Sequence, residues 1–359
     1  MSYRAFKKLY LLLYPSLVRK ASMSRSSSPV PVVSLVAIGL RYLDGAKYQD
    51  LCDVHGVSKD QVYKCRDDFL DAVLECEEIS IKMPSSDKEW EDVRCSFAGR
   101  SYQRLFKHCV GAIDGFFQPT IVPSKKDTGG NQRAYYSGHY KSPGLNCQAI
   151  CDGRLRFMFF GVVAPGRTND CIAYFKTGLD AKLKDTLVFP LHLVGDAAYT
   201  ESIVLMTPFT GSQANNPYCD AFNYYLSQCR IRIEMAFGRM SGKWSILQKK
   251  LKHNLANASK ILNICAILHN YVIDEDYPEV DDMLSVPDDE HCISTRAGSP
   301  FGMSYLPNVP DLFESSGNSP TKIAYYETIR MYDYRRPLHN MVRNNRESDD
   351  GIVYEFVTV

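Results

Sequence analysis

The stretch TLVFPLHLVGDAAYT, residues 186–200, is apolar almost without interruption until it reaches Gly195 and Asp196. A strand with one wet face alternates polar and apolar residues, whereas a continuous apolar run suits a strand buried on both faces. The chain is therefore predicted to hold an α/β sheet. A second apolar run, Cys109 to Ile113, delivers Asp114 and then Gly115. Asp114 and Asp196 are thus both placed at the last position of a core strand, each followed by a small residue. Residues 144–166, GLNCQAICDGRLRFMFFGVVAPG, form two apolar or alternating runs joined at Asp152-Gly153, a dipeptide that favours a hairpin turn and gives the sheet an antiparallel part. Residues 170–182 read as a helix. If the two acid-bearing strands are neighbours, both carboxylates point into the crevice outside the strand ends, where open α/β sheets place their ligands.

The amino-terminal part is helical. Val33, Val36, Leu40 and Leu43, then Leu51 and Val54, then Val62, Cys65, Phe69 and Val73 recur at helical spacing and predict three helices over residues 32–75. Gly45 ends the first, and His55-Gly56-Val57 turns the chain after the second. Ser58 caps the third, with Gln61 placed to close a capping box. A short Gly-bearing turn between two helices is the layout of a helix-turn-helix. Its recognition helix would present Lys59, Gln61, Tyr63 and Lys64 near its start, although a Gln61 engaged in the capping box cannot also read a base. The alternative is a three-helix packing unit without DNA contact.

A third helix-forming stretch is LSQCRIRIEMAFGRMSGKWSIL, residues 226–247. Leu226, Cys229, Ile233, Phe237, Met240, Trp244 and Leu247 define its buried stripe, and Glu234 lies at the margin. Between Gln228 and His253, Glu234 is the single acid among seven cations, Arg230, Arg232, Arg239, Lys243, Lys249, Lys250 and Lys252. On its own, the spacing of Arg230 and Glu234 reads first as an ion pair on a solvated helix face.

A length of 359 residues accommodates two domains, and a net charge of +1 argues against indiscriminate coating of nucleic acid. Sign is nevertheless segregated. Residues 1–30 carry six cations and no acid, and residues 274–290 carry acids and no cation, so both read as solvated flanks. The twelve cysteines sit singly, with no Cys-x-x-Cys, which leaves no pattern for a zinc site or a disulfide framework and suggests reduced thiols in an intracellular protein. The run Leu9–Val18 imitates a signal peptide. Pro15 interrupts it, Arg19 and Lys20 follow, and a bilayer span needs about 20 apolar residues. It is read as a basic amphipathic lead-in, with no membrane partner.

The blocks GAIDGFFQPT, GLNCQAICD, APGRTND, VGDAAYT, LSQCRIRIEMAFGRMSGKW and ILHNYVI occur in the order and at roughly the spacing of PIF/Harbinger-type DDE transposases and their domesticated relatives, which residues 30–275 resemble. The resemblance implies an RNase H-like mixed sheet with flanking helices, preceded by an all-α helix-turn-helix unit. Its acidic triad falls on Asp114, Asp196 and Glu234. The chain departs from many relatives at YYSGHYKSPG, residues 135–144, and at Asn169-Asp170, where a His-Asp pair is common. Neither departure removes a triad acid. Asp152 is assigned to its turn and Asp170 to capping the helix that starts there.

The implied organisation is a basic lead-in (1–29), a helix-turn-helix unit (30–80), a nuclease domain (100–275) and a largely flexible tail (276–359) with a short helix at Lys322–Tyr334. The implied chemistry is cleavage of DNA phosphodiesters and joining of 3′ hydroxyls to target DNA, supported by two Mg²⁺ or Mn²⁺ ions on the three carboxylates. Asp114 would bridge both ions, Asp196 hold one and Glu234 the other. Arg230, Arg232, Arg239 and Lys243 would neutralise DNA phosphates. The implied partners are duplex DNA at transposon ends and target, a Myb-like DNA-binding protein and further copies of the chain. The implied location is the nucleus, or the cytoplasm without that partner. Two alternatives stay open: a domesticated, non-catalytic DNA-binding or scaffold protein, and an RNase H-like enzyme acting on RNA.

Overall fold

The computed structural model describes residues 1–22, 30–101, 104–277 and 318–331. Helices α1 (Tyr3–Ser22), α2 (Val32–Leu43), α3 (Tyr48–His55), α4 (Lys59–Glu75) and α5 (Asp87–Ala98) precede the first strand. Then come β1 (Cys109–Pro119), β2 (Tyr136–Ser137), β3 (Ser142–Cys151), β4 (Phe157–Pro165), α6 (Asp170–Lys176), α7 (Leu179–Thr186), β5 (His192–Val194) and β6 (Leu205–Met206). Helices α8 (Pro217–Lys243), α9 (Leu255–Asp276) and α10 (Pro320–Met331) follow.

The strands make one mixed sheet in the order β4–β3–β1–β5–β6, with β2 paired to the start of β3. Neighbours β1, β3 and β4 are antiparallel, while β1, β5 and β6 are parallel. Both faces are covered. Trp90 of α5, Tyr174 of α6, and Leu179 and Leu183 of α7 pack with Ile113, Ile150, Met158 and Leu193 on one side. Helices α8 and α9 lie over Ala112, Cys147, Ala149 and Cys151 on the other. The predicted stripe of α8 is buried throughout, from Leu226 to Leu247.

Three strand and helix boundaries differ from the sequence reading, each for a local reason. The run at 186–200 yields only three residues of strand, because Pro190 has no N–H to give a central ladder and Val188 and Phe189 are exposed in the connection. Asp114 stands in the middle of β1 and not at its end, since antiparallel pairing with β3 carries the strand on to Pro119. The helix predicted over 170–182 breaks at Gly178, whose φ of +70° ends α6 and restarts the chain as α7.

Helices α2, α3 and α4 form where periodicity places them. Gly56 closes α3 at φ +64°, and Ser58 and Gln61 make the reciprocal capping box that opens α4. The unit is not detached. Val62, Cys65, Phe69 and Val73 share one continuous core with α8 and α9, and Lys260 of α9 pairs with Asp71 at 2.8 Å. Motif ILHNYVI has a structural use on α9. His269 bonds the Leu155 carbonyl at 2.8 Å, and Asn270 takes the N–H and returns a bond to the carbonyl of Phe157, each at 2.8 Å, so the pair clamps the β3–β4 turn.

The solvated-flank reading fails at residues 1–22. Ala5, Leu9, Leu13 and Leu17, four residues apart, bury one stripe of α1 in the common core, and Lys8 reaches Glu275 while Tyr271 bonds the Ala5 carbonyl at 2.6 Å. The short helix expected at Lys322–Tyr334 forms as α10 over Pro320–Met331, and it is docked instead of free. Helix α10 packs on α8, with Tyr325 stacked on Phe106 at 4.6 Å and Lys322 in a buried pair with Glu201 at 2.6 Å. Residues 278–317 and 332–359, the rest of the predicted tail, lie outside the described residues. No helix among the described residues is long and apolar enough to cross a membrane.

Because Tyr325 is 1 % exposed, Tyr325→Ala is expected to destabilise the protein by about 3–5 kcal/mol, as for other large buried aromatics. Urea denaturation measures this, and a chain ended at Tyr277 should show a loss at least as large.

Candidate active site

Asp114 and Asp196 meet because of strand register. Ala112 of β1 is paired with Val194 of the parallel strand β5, and each acid lies two residues beyond that pair. Alternation along β1 puts Asp114, with Ala112 and Phe116, on the face covered by α8, where Phe116 touches Phe237. Gly115 turns its bare Cα to the opposite face. Asp114 is half-buried and accepts the Gly115 N–H at 2.8 Å, while Asp196 accepts the Ala198 N–H at 2.9 Å.

Burial raises the Asp114 carboxyl to about 7; the Gly115 N–H opposes the rise, the Asp196 charge adds to it, the Arg230 charge opposes it and the Asp170 charge adds to it. That list identifies the neighbourhood. Arg230 on α8 and a second and a third carboxylate are all within electrostatic reach of Asp114.

Asp170 does not cap α6. Asn169 does so, its side chain accepting the Cys171 N–H at 2.9 Å. Asp170 instead turns toward the sheet, where one carboxylate oxygen accepts from Asn146 at 2.7 Å and from Gln148 at 3.1 Å. Gln148 is fully buried, also donates to Asn146 at 3.0 Å, and accepts from the Tyr199 hydroxyl at 2.7 Å. Gln148 is the register partner of Gly115, and a Cβ added at Gly115 would lie 2.3 Å from the Asp170 oxygen. Glycine at 115 is therefore what lets Asp170 approach Asp114. Sequence reading missed Asn146, Gln148, Asp170 and Tyr199. Their signal was two polar residues spaced by two inside the otherwise apolar GLNCQAIC, which a buried strand tolerates only when both are bonded.

Asp152 is confined to its turn. It accepts the N–H groups of Arg154 at 2.9 Å and Arg156 at 2.8 Å.

Glu234 stands apart. It is exposed on α8 and ion-paired with Arg230 one turn earlier. Among the described residues, no three Asp, Glu, His or Cys side chains are gathered into a ready metal-binding group. Arg230 thus links two sets, its guanidinium paired with Glu234 and its charge felt at Asp114.

Residues 113–270, which include all five of these acids, match the family described as DDE superfamily endonuclease. This segment is similar to the DDE endonucleases. The match agrees with the motif resemblance, and the mixed sheet with its covering helices is compatible with a DDE nuclease fold. The chain is 24% identical over 263 residues to "Putative nuclease HARBI1" of Bos taurus, covering 72% of this chain and 71% of that protein. The Homo sapiens protein of the same name gives the same identity and coverage. "Protein ALP1-like" of Arabidopsis thaliana is 24% identical over 284 residues, covering 74% of this chain and 66% of that protein. No solved structure matches significantly.

The cations expected around this DDE site are dispersed. Arg232 is buried at 7 % exposure on the inner side of α8, near Arg100, Cys151 and Cys229, so it faces the core and not a phosphate. Arg239 lies over the Tyr277 ring at 4.8 Å, and Lys243 is near the Trp244 ring at 6.0 Å. Lys59 and Lys64 are exposed at the start of α4, Lys59 over the Tyr48 ring at 5.1 Å. Gln61 is held in the capping box, as the sequence conflict foretold.

A folded carboxyl raised to about 7 against an ordinary 3.8 favours the protonated state, so its stabilising share is complete below pH 3.8 and lost as pH rises through 7. Metal-free Asp114→Asn is expected to exceed the parent in stability at pH 8 by roughly 1–4 kcal/mol, a gain that fades toward pH 4. Denaturation in EDTA across that range measures it.

Proposed function

We propose that the protein is a metal-dependent DNA endonuclease and strand transferase of the DDE type, acting in the nucleus. The observation that carries the reading is the register that sets Asp114 beside Asp196 inside the DDE-matching segment, with Asp170 closing in across Gly115. An all-oxygen donor set suits a hard divalent cation. Burial, with the Asp196 and Asp170 charges adding to it, holds the Asp114 proton on to about 7, and such a cation would favour the ionised form. Asp114, Asp196 and Glu234 would hold two Mg²⁺ or Mn²⁺ ions. When bound, these would supply activation of water and charge stabilisation at the departing oxygen.

The chain's own groups do the rest. Glu234 joins the set by releasing Arg230, and opening an exposed helical ion pair costs only about 0.3–0.5 kcal/mol. The freed guanidinium then faces the DNA phosphate. Asp170 acts as a positioning residue, fixed by Asn146 and Gln148 and limiting where Asp114 can turn. Nicking forms a bond from a water oxygen to phosphorus as the P–O3′ bond breaks and the 3′ oxygen leaves as a hydroxyl. Joining forms a bond from that 3′ oxygen to a target phosphorus as the target's own P–O3′ bond breaks and releases a target 3′ hydroxyl. Lys59 and Lys64 hold duplex phosphates on the full chain, with a Myb-like partner and further copies assembling at paired ends. The Arg230–Glu234 ion pair favours one second reading, a non-catalytic DNA-binding or scaffold protein that keeps the fold.

Supercoiled-plasmid nicking with Mg²⁺ or Mn²⁺ separates the two. Asp114→Asn, Asp196→Asn and Glu234→Gln should each reduce nicking by about 100-fold or more, since each deletes a charge a hard cation needs. Asp152→Asn should keep most activity, and Asp170→Asn should lose an intermediate share. A folded Glu234→Gln protein nicking at the parental rate removes Glu234 from the set. RNA–DNA hybrid should be cut more slowly than duplex DNA.

Phosphate contacts make affinity salt-dependent. Lys59→Ala combined with Lys64→Ala should weaken duplex binding by the full chain and flatten the slope of log affinity against log salt by roughly 1–2. An unchanged slope on titration would take α4 out of the DNA interface.

A further inference from the structure

Phe117 lies three residues past Asp114 on β1, about 10 Å along the strand. Its register partner on β3 is Asn146, the residue that holds Asp170. The Phe117 ring is wedged in place, for a Cβ at Gly144 would fall 2.4 Å from it and one at Gly166 would fall 2.6 Å from it. Tyr140 stacks on that ring with centroids 4.2 Å apart and planes within 3°. His139 meets Tyr140 edge-on at 4.7 Å. Despite this order, Tyr140 is 55 % exposed, so the arrangement is built without being covered. Two exposed cations adjoin it in sequence, Lys141 after Tyr140 and Arg167 after Gly166.

We propose that Phe117 and Tyr140 form a stacking platform for an unpaired nucleobase of the DNA strand whose phosphate is held at Asp114 and Asp196. The inference rests on the nuclease reading above. A base drawn out of a duplex loses its neighbours, and an aromatic face replaces them whatever the base, because every base has a π face. A flat ring pair already in place needs no ordering when the base arrives. Lys141 and Arg167 suit the phosphates on either side of that base. Partial burial, with the charges of Asp170 and Asp114, raises the Tyr140 phenol, which sets the ring near those acids and keeps it neutral beside DNA. Tyr140 lies in YYSGHYKSPG, the segment where the chain departs from many relatives, so substrate fit is where the departure acts.

The full chain, without added metal, is titrated by fluorescence anisotropy with a blunt duplex and with the same duplex bearing a short unpaired thymine overhang. The overhang should tighten binding by about 5- to 100-fold. Tyr140→Ala should erase the preference and Tyr140→Phe should keep it, with thermal melting confirming that both variants fold. An unpaired 2-aminopurine at the junction should be quenched by the parent and by Tyr140→Phe, and not by Tyr140→Ala. Equal parental affinity for the two DNAs, or a preference that survives Tyr140→Ala, overturns the platform. Where plasmid nicking is intact and the preference absent, the platform alone falls. Where the protein neither nicks nor binds either DNA, the nuclease reading falls and the platform with it.

Discussion

The pairing of β5 alongside β1 is the contact on which the rest of the site depends. Parallel neighbours cannot be joined by a tight turn, so the chain must leave the sheet after β4 and return, and α6 and α7 are that return path. The crossover does two jobs. It covers one face of the sheet with Tyr174, Leu179 and Leu183, and its first turn delivers Asp170 over Gly115. One topological requirement thus brings Asp196 and Asp170, far apart in sequence, within electrostatic reach of Asp114, where burial and their charges raise its carboxyl.

That perturbation is tolerated because the surrounding core is extensive. Helices α1 and α4, the sheet's inner face, α8, α9 and α10 contribute to a single apolar cluster. The helical unit and the DDE-matching segment therefore have a shared interior, with α4 tied through α9 to the strands. Relatives matching some seven-tenths of the chain are consistent with that extent, since the match runs well beyond residues 113–270.

Much of this was legible beforehand. Hydrophobic periodicity located α2, α3, α4 and α8 because each buries a stripe with few interruptions, and the capping box at Ser58 was visible as two residue types at fixed spacing. Asp114 and Asp196 stood out because an acid closing an apolar run has few structural uses. What failed shares a cause. Whether β1 ends at Asp114 or continues depends on how far β3 runs beside it, and whether Asp170 caps its helix or turns to the sheet depends on amides 22 and 24 residues away. Burial of α1 and α10 is likewise decided by partners distant in sequence, which a local charge count cannot reveal. Glu234 is the converse case. Its marginal helical position and its Arg230 neighbour were both apparent from spacing, and the fold preserves that duality instead of resolving it.

Gly115 carries a consequence for how the chain's history can be read. The strand would tolerate alanine there as far as its hydrogen-bond ladder is concerned, since pairing with Gln148 uses only the backbone. The three atoms nearest an added methyl all belong to the Asp170 carboxyl group. Selection for folding would register the change through the Asn146 and Gln148 bonds that Asp170 accepts, while selection for the acid constellation would register it at Asp114 directly. Among descendants of one ancestral copy, drift at residue 115 would record the moment at which the placing of Asp170 beside Asp114 stopped mattering, in lineages whose folded protein had been kept for some other use.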